Sequence, residues 1–202
     1  MNSQIDPRQA LSDVHRRVTG ELLHLMDGLY SNIEDGLFEL AYRTDHEAQQ
    51  RRCFDLMREM RFQRSRVVQN FARRLQSGFD GWLRGDASAG AAGDALAERM
   101  ARKCTSHFGG VLQALTERCS DAVGRETSRT ELPIGPLHVA CSFIASMKAL
   151  RFDDHAIEIV EDLFNRFVLE RLGPVYGECN LKLEQAGFCT ADELAQMARV
   201  RA

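Results

Sequence analysis

The sequence predicts an all-α protein: a long antiparallel helical hairpin packed against a bundle of shorter helices. Three observations predict it. Apolar residues recur at steps of three and four along most of the chain. No segment sustains the alternation of a half-buried strand. Ser, Thr and Asp caps, with Gly and Pro stops, divide the periodic stretches into separate helices.

The first helix opens at Asp6-Pro7, an acceptor side chain followed by proline at the first helical position. From Leu11 through Val14, Val18, Leu22, Leu25, Leu29, Ile33 and Leu37 to Leu40 the apolar phase holds across Gly28, so one helix to about Arg43 is expected. Ser31 and Glu34 would form a capping box if it broke there. Thr44 and Glu47 read as a second capping box. It opens a helix to about Leu83 whose apolar face carries Met57, Met60, Val67, Val68, Phe71, Leu75, Phe79 and Trp82. Two long helices joined by so short a turn pack antiparallel.

The stretch 85–93 (GDASAGAAG) reads as a flexible link. Asp94 caps a third helix with Leu96, Met100, Cys104, Phe108, Val111, Leu115, Cys119 and Val123 on one stripe, and residues 124–135 form a polar link. A fourth helix starts at Pro136, with Leu137, Ala140, Cys141, Ile144 and Met147 toward the core. Asp153 or Asp154 caps a fifth, carrying Ile157, Val160, Phe164, Phe167 and Val168. Gly173-Pro174 breaks or kinks it, Gly187 stops its continuation, and Thr190 with Glu193 opens a last short helix. The expected organisation is one domain over 1–202: a hairpin over about 7–84, a link over 85–93, and a bundle over 94–202. A length of 202 residues suits one domain of about 100–200 residues.

Composition limits function. With 44% hydrophobic residues, 27% charged residues, four prolines and a net charge of -3, the chain is neither disordered nor collagen-like, nor broadly nucleic-acid-coated. No run reaches the roughly 20 apolar residues that span a bilayer. The polar start, Met1 to Ala10, lacks the apolar core of a signal peptide. The six cysteines are scattered and read as reduced, buried small hydrophobes. The expected location is the cytoplasm.

The basic residues are almost all arginine, with only Lys103, Lys148 and Lys182 among twenty-six Lys plus Arg. On the second helix, at about 100° per residue, Arg51, Arg52, Arg58, Arg66 and Arg73 fall on the face away from the apolar stripe. They are the candidate partner-binding residues. Such a stripe suits an acidic protein, an RNA or a phosphate-rich ligand such as a cyclic dinucleotide. On this reading no aromatic platforms are interleaved on that face, which disfavours nucleic acid. Arg64 projects into the apolar arc instead and must be paired if buried. Glu34, Asp35 and Glu39 across the hairpin are its expected partners, in a structural ion pair that fixes register.

Catalytic signals are poor. There is no G-x-S-x-G elbow, and no cysteine motif lowers a thiol pKa. Asp153-Asp154-His155 stands at a helix start, where acids belong. Cys104 with His107 and His138 with Cys141 could in principle complete a Cys₂His₂ set, but the spacing fits no standard zinc module. No catalytic residue, metal or cofactor is expected.

Two stretches carry a resemblance. SNIEDGLFELAYRTDHEAQQRRCFDLMREMRFQR, Ser31 to Arg64, resembles a pattern of an acidic pair, LF-x-LA, a polar turn and FD-x-MRE-x-R. LPIGPLHVACSFIASMKAL and LFNRFVLERLGPVYGECNLKLEQAG, within Leu132 to Gly187, resemble a PLGP-opened helix and an LFDRHVL-x-x-LGP-x-Y-x-x-LN segment. Both patterns are those of a proteobacterial family of unknown function, domain-of-unknown-function family sixteen-thirty-one. Some of its members carry the label thymidine phosphorylase. The resemblance implies correspondence to the N-terminal portion of longer proteins, either as a stand-alone short relative or as an excised domain. It carries over no catalytic residue, and the phosphorylase label finds no glycine-rich phosphate loop after a strand here.

The expectation is therefore a non-catalytic interaction or regulatory module of a bacterial cytoplasmic protein. Its partner would be a protein, acidic by charge complementarity, with homodimerisation left open by the apolar richness of the first helix. The alternative is a phosphate- or nucleotide-ligand sensor, for example in cyclic-di-GMP-linked signalling.

Overall fold

The computed structural model describes residues 6–86, 95–148, 150 and 152–201. Asp94 and most of the 85–93 link lie outside them. All regular structure among the described residues is helical.

Helix α1 spans Pro7–Arg43 unbroken. The Asp6 carboxylate accepts from the Arg8 amide at 3.1 Å, and Pro7 occupies the first helical position. Ser31 does not restart the helix, because its hydroxyl donates back to the Asp27 carbonyl. Helix α2 spans Glu47–Leu83. The Thr44–Glu47 capping box does not form. The Thr44 hydroxyl donates to Gln49 Oε1 (2.9 Å), and Glu47 reaches forward to Arg51 instead. Gln50 Nε2 donates to the Ala41 carbonyl (3.2 Å), closing the hairpin turn.

The expected third helix is two, α3 (Ala95–His107) and α4 (Gly109–Val123). Phe108 leaves helical geometry at φ -104°, ψ 24°. Gly109 and Gly110 follow it and hold the helix weakly there. The Phe108 ring fills the space where a Cβ on Gly173 would sit, so the break is tied to tertiary packing. Next come α5 (Pro136–Met147) and α6 (Asp154–Phe167), the latter capped by Asp153 through the Ala156 amide (3.0 Å). A 3₁₀ turn, Leu169–Arg171, then leads into α7 (Leu172–Gln185). The break expected at Gly173-Pro174 thus falls a few residues earlier, and Pro174 sits in the first turn of α7, where a missing amide costs nothing. Gly187, at φ 94°, ends that helix, and α8 (Ala191–Arg201) follows.

One contiguous core joins hairpin and bundle. Helix α1 packs on α2, α4, α6 and α7, while α2 also packs on α5. Most of the apolar excess of α1 is thereby covered within the chain, while Phe38 and Tyr42 near its end stay exposed. Helix α5 is buried around most of its circumference, so the stripe expected for it holds only in part: Ala140 and Met147 are buried as expected. Leu137, Cys141 and Ile144 are only half-buried, whereas Val139 and Phe143 are fully enclosed. Phe143 stacks on Phe164 of α6 (centroids 4.0 Å) and meets Phe71 of α2 edge-on (6.3 Å). Tyr176 of α7 donates to the Ile134 carbonyl at 2.9 Å and so pins the 124–135 link, whose Leu132 and Ile134 are also buried.

Candidate interaction surface

Helix α2 turns Cys53, Leu56, Met60, Val67, Phe71 and Leu75 inward. Helical geometry therefore sends the residues half a turn away to the outside. Arg51, Arg52, Arg58, Arg66 and Arg73 are all exposed there. Three are held on the helix itself: Arg51 by Glu47 (3.4 Å), Arg58 by Asp55 (2.7 Å) and Arg73 by the Asn70 amide oxygen (3.2 Å). Arg52 and Arg66 make no hydrogen bond or ion pair among the described residues.

The face is not free of aromatics, contrary to the reading of the sequence. Phe62 is 90% exposed and lies one turn from both Arg58 and Arg66. Phe54 and, across the seam on α1, Phe38 are exposed beside it, their rings in an edge contact at 6.3 Å. Tyr42, 82% exposed, continues the strip toward the turn. The same helical projection that selected the arginines places Phe62 among them, so this residue was legible and missed.

Arg64 does reach across the hairpin, but not to the expected acids. Its Nη2 lies 2.7 Å from Asp27 Oδ1, and its guanidinium sits over the Tyr30 ring at 5.4 Å. Glu34 instead accepts from Arg61 (2.8 Å), and Glu39 pairs with Arg43 one turn along α1. Asp35 is exposed. The Arg64 side chain is 43% exposed, so its long stem covers apolar surface while its charge stays in water. The projection gave the right direction for the Cβ and the wrong depth for the charge.

His15 and His138 are buried where α1, α2 and α5 meet. Burial pushes the His138 pKa down to about 4, with the nearby His15 adding to the effect and a hydrogen bond to the Arg74 carbonyl opposing it. Burial likewise lowers His15, whose ring stacks on Phe79 at 4.2 Å. The Cys–His pairs do not converge: the Cys104 thiol donates to the Leu169 carbonyl, His107 is exposed beside Phe108, and His138 packs on Gly78 of α2. No three His, Cys, Asp or Glu side chains gather as a metal requires among the described residues. Burial also pushes thiol pKa values up, to about 12 at Cys104 and about 11 at Cys179, which keeps both protonated and poor nucleophiles.

Comparison with protein families yields one match, to the description "Protein of unknown function (DUF1631) N-terminal domain", over residues 6–96 and 93–187. The chain belongs to this family. The first DUF1631 segment coincides with the hairpin and the second runs from α3 through α7. Neither the curated proteins nor the solved structures gave a match.

Helix α8 lies beyond the matched DUF1631 segments, yet a residue inside them holds it. Arg118 of α4, whose side chain is only 6% exposed, donates from both terminal nitrogens to Glu193 (2.6 and 2.8 Å). Glu193 also accepts from the Thr190 amide (2.8 Å), and Thr190 accepts in return from the Glu193 amide (3.4 Å), so the expected capping box forms. The Arg118 bonds, with those from Thr190, hold the Glu193 carboxyl down at about 2. Glu117 and Asp121 accept from the Ala191 and Cys189 amides, so α4 holds the start of α8.

Proposed function

We propose that the chain is a non-catalytic helical docking module, a regulatory or scaffolding part of a bacterial cytoplasmic protein. It would contact an acidic protein partner through the outer face of α2. The observation that carries this reading is the exposed strip of Arg51, Arg58, Phe62, Arg66 and Arg73, flanked by Phe38, Tyr42 and Phe54. Arginine and aromatic side chains are the residues enriched where interfaces concentrate their binding energy. The hairpin presents them on two long, rigid helices, with Arg52 and Arg66 uncommitted. Buried neutral histidines and protonated thiols offer no nucleophile and base in one cleft. No helix is long and apolar enough to cross a membrane among the described residues.

A second reading has one observation in its favour. Phe62 between two arginines is a place where a base could stack, as a nucleotide ligand such as cyclic-di-GMP would require. Against it stand the convex shape of a helix face, the net charge of -3, and the pairing of Arg51 and Arg58 with local acids. Titration with poly-glutamate and with cyclic-di-GMP, each at 50 and 300 mM salt, separates the two. The docking reading expects poly-glutamate to bind and to weaken with salt, with no saturable cyclic-di-GMP binding. Saturable cyclic-di-GMP binding that Phe62→Ala abolishes would replace it.

A further inference from the structure

Helices α3, α5 and α6, with the segment after α5, line a cavity of about 340 Å³ that is open to solvent on one side. Its wall is almost wholly apolar, built from Met100, Phe143, Met147, Leu150, Ile157 and Val160. Most of these side chains are buried, so the space lies within the fold and not on a flat surface. Small-molecule sites typically occupy about 300–1,000 Å³ and combine an apolar wall with a few polar groups. Among the described residues two charged side chains, Lys148 and Glu161, stand at the cavity.

Those two charges are not equivalent. Both Glu161 oxygens accept from Arg99, at 2.9 and 3.4 Å, so that carboxylate is already neutralised. Lys148 caps the C-terminal end of α5, is exposed, and forms no ion pair among the described residues. Among the described residues the cavity therefore offers an apolar interior with an unspent positive charge, Lys148, at its rim. An anionic head on an aliphatic chain matches both features, whereas a cationic head would meet like charge at Lys148.

We infer that this cavity binds an amphiphile with an aliphatic chain and a carboxylate head, the chain among Met100, Phe143, Met147 and Ile157 and the head against Lys148. The site lies away from the outer face of α2 and does not depend on the docking reading.

Dodecanoate and dodecylamine are the probes, titrated into the full chain carrying ¹³C-methyl methionine. The methyl signals of Met100 and Met147 should shift saturably with dodecanoate, while those of Met26 and Met60 in the hairpin core stay fixed. Dodecylamine should bind at least about tenfold more weakly. Lys148→Glu should reverse that order, and because Lys148 is exposed this variant should melt as the wild type does. Ile157→Trp, which fills the cavity, should abolish both responses. The proposal is overturned if Met100 and Met147 do not respond to dodecanoate, if Lys148→Glu leaves the preference unchanged, or if Ile157→Trp binds as the wild type.

Discussion

Arg64 of α2 bonds Asp27 of α1 across the hairpin seam at 2.7 Å, at a point where both side chains remain in contact with water. Exposed ion pairs contribute about 0–1 kcal/mol. Asp27→Ala should therefore lower unfolding stability by less than about 1 kcal/mol, and Glu39→Ala by less than about 0.5 kcal/mol, in urea titrations at low salt. A loss above about 3 kcal/mol for Asp27→Ala would mean that the seam behaves as a buried pair, and one for Glu39→Ala that its pair with Arg43 does.

Gly78 of the hairpin and His138 of the bundle approach each other closely. A Cβ on Gly78 would occupy the position of the His138 ring. Gly78→Ala should cost about 1–3 kcal/mol by overpacking, even though alanine favours helix. Gly28→Ala on α1 meets nothing within 4 Å and should stabilise by about 0.5–1 kcal/mol. His138→Ala should relieve the Gly78→Ala penalty, and a double-mutant cycle by thermal melting reads that coupling.

The buried histidines also set an acid response. Folded His138 stays neutral down to about pH 4, whereas in the unfolded chain it takes a proton near its ordinary value of 6.5. Between those limits the unfolded state binds more protons, so stability falls as pH drops from about 6.5 to about 4 and is complete above that window. The slope is up to about 1.4 kcal/mol per pH unit for each such proton. Urea unfolding at pH 4.5, 5.5 and 7 should show it, and His138→Phe should flatten it. An unchanged slope in that variant would assign the acid response to other groups.

Arg118 and Glu193 govern α8. Burying the Arg118 guanidinium is tolerable because Glu193 meets it with two hydrogen bonds. Glu193→Ala and Arg118→Ala should each speed amide exchange over residues 191–201 by about tenfold or more, with α1 and α2 unchanged. Equal exchange in wild type and variants would show that other contacts hold the helix.

Most of the helix set was legible because α1, α2, α6 and α7 each bury one stripe, and Asp6, Asp153, Gly187 and Thr190 with Glu193 act locally as caps and stops. The errors share a tertiary cause. Phe108 breaks its helix to pack on Gly173, some 65 residues on. Helix α5 is covered on most sides, so no periodicity marks its core. Arg64 chose Asp27 over Glu34 through the register of two helices, which no single-helix projection contains. Of the candidate surface, the exposure of the arginines was readable, while Phe38, Tyr42 and Phe54 joined it only through packing across the hairpin.

The central claim, docking through the outer face of α2, is tested most directly by affinity capture from a lysate of the source organism with mass spectrometry. Four baits are compared: the wild type, a variant carrying Arg51→Glu, Arg52→Glu, Arg66→Glu and Arg73→Glu, a Phe62→Ala variant, and an Arg102→Glu control on α3. All should melt alike. The account predicts an acidic protein retained by the wild type and the control and lost by the other two. Retention of the same proteins by all four baits, or by none, would contradict it.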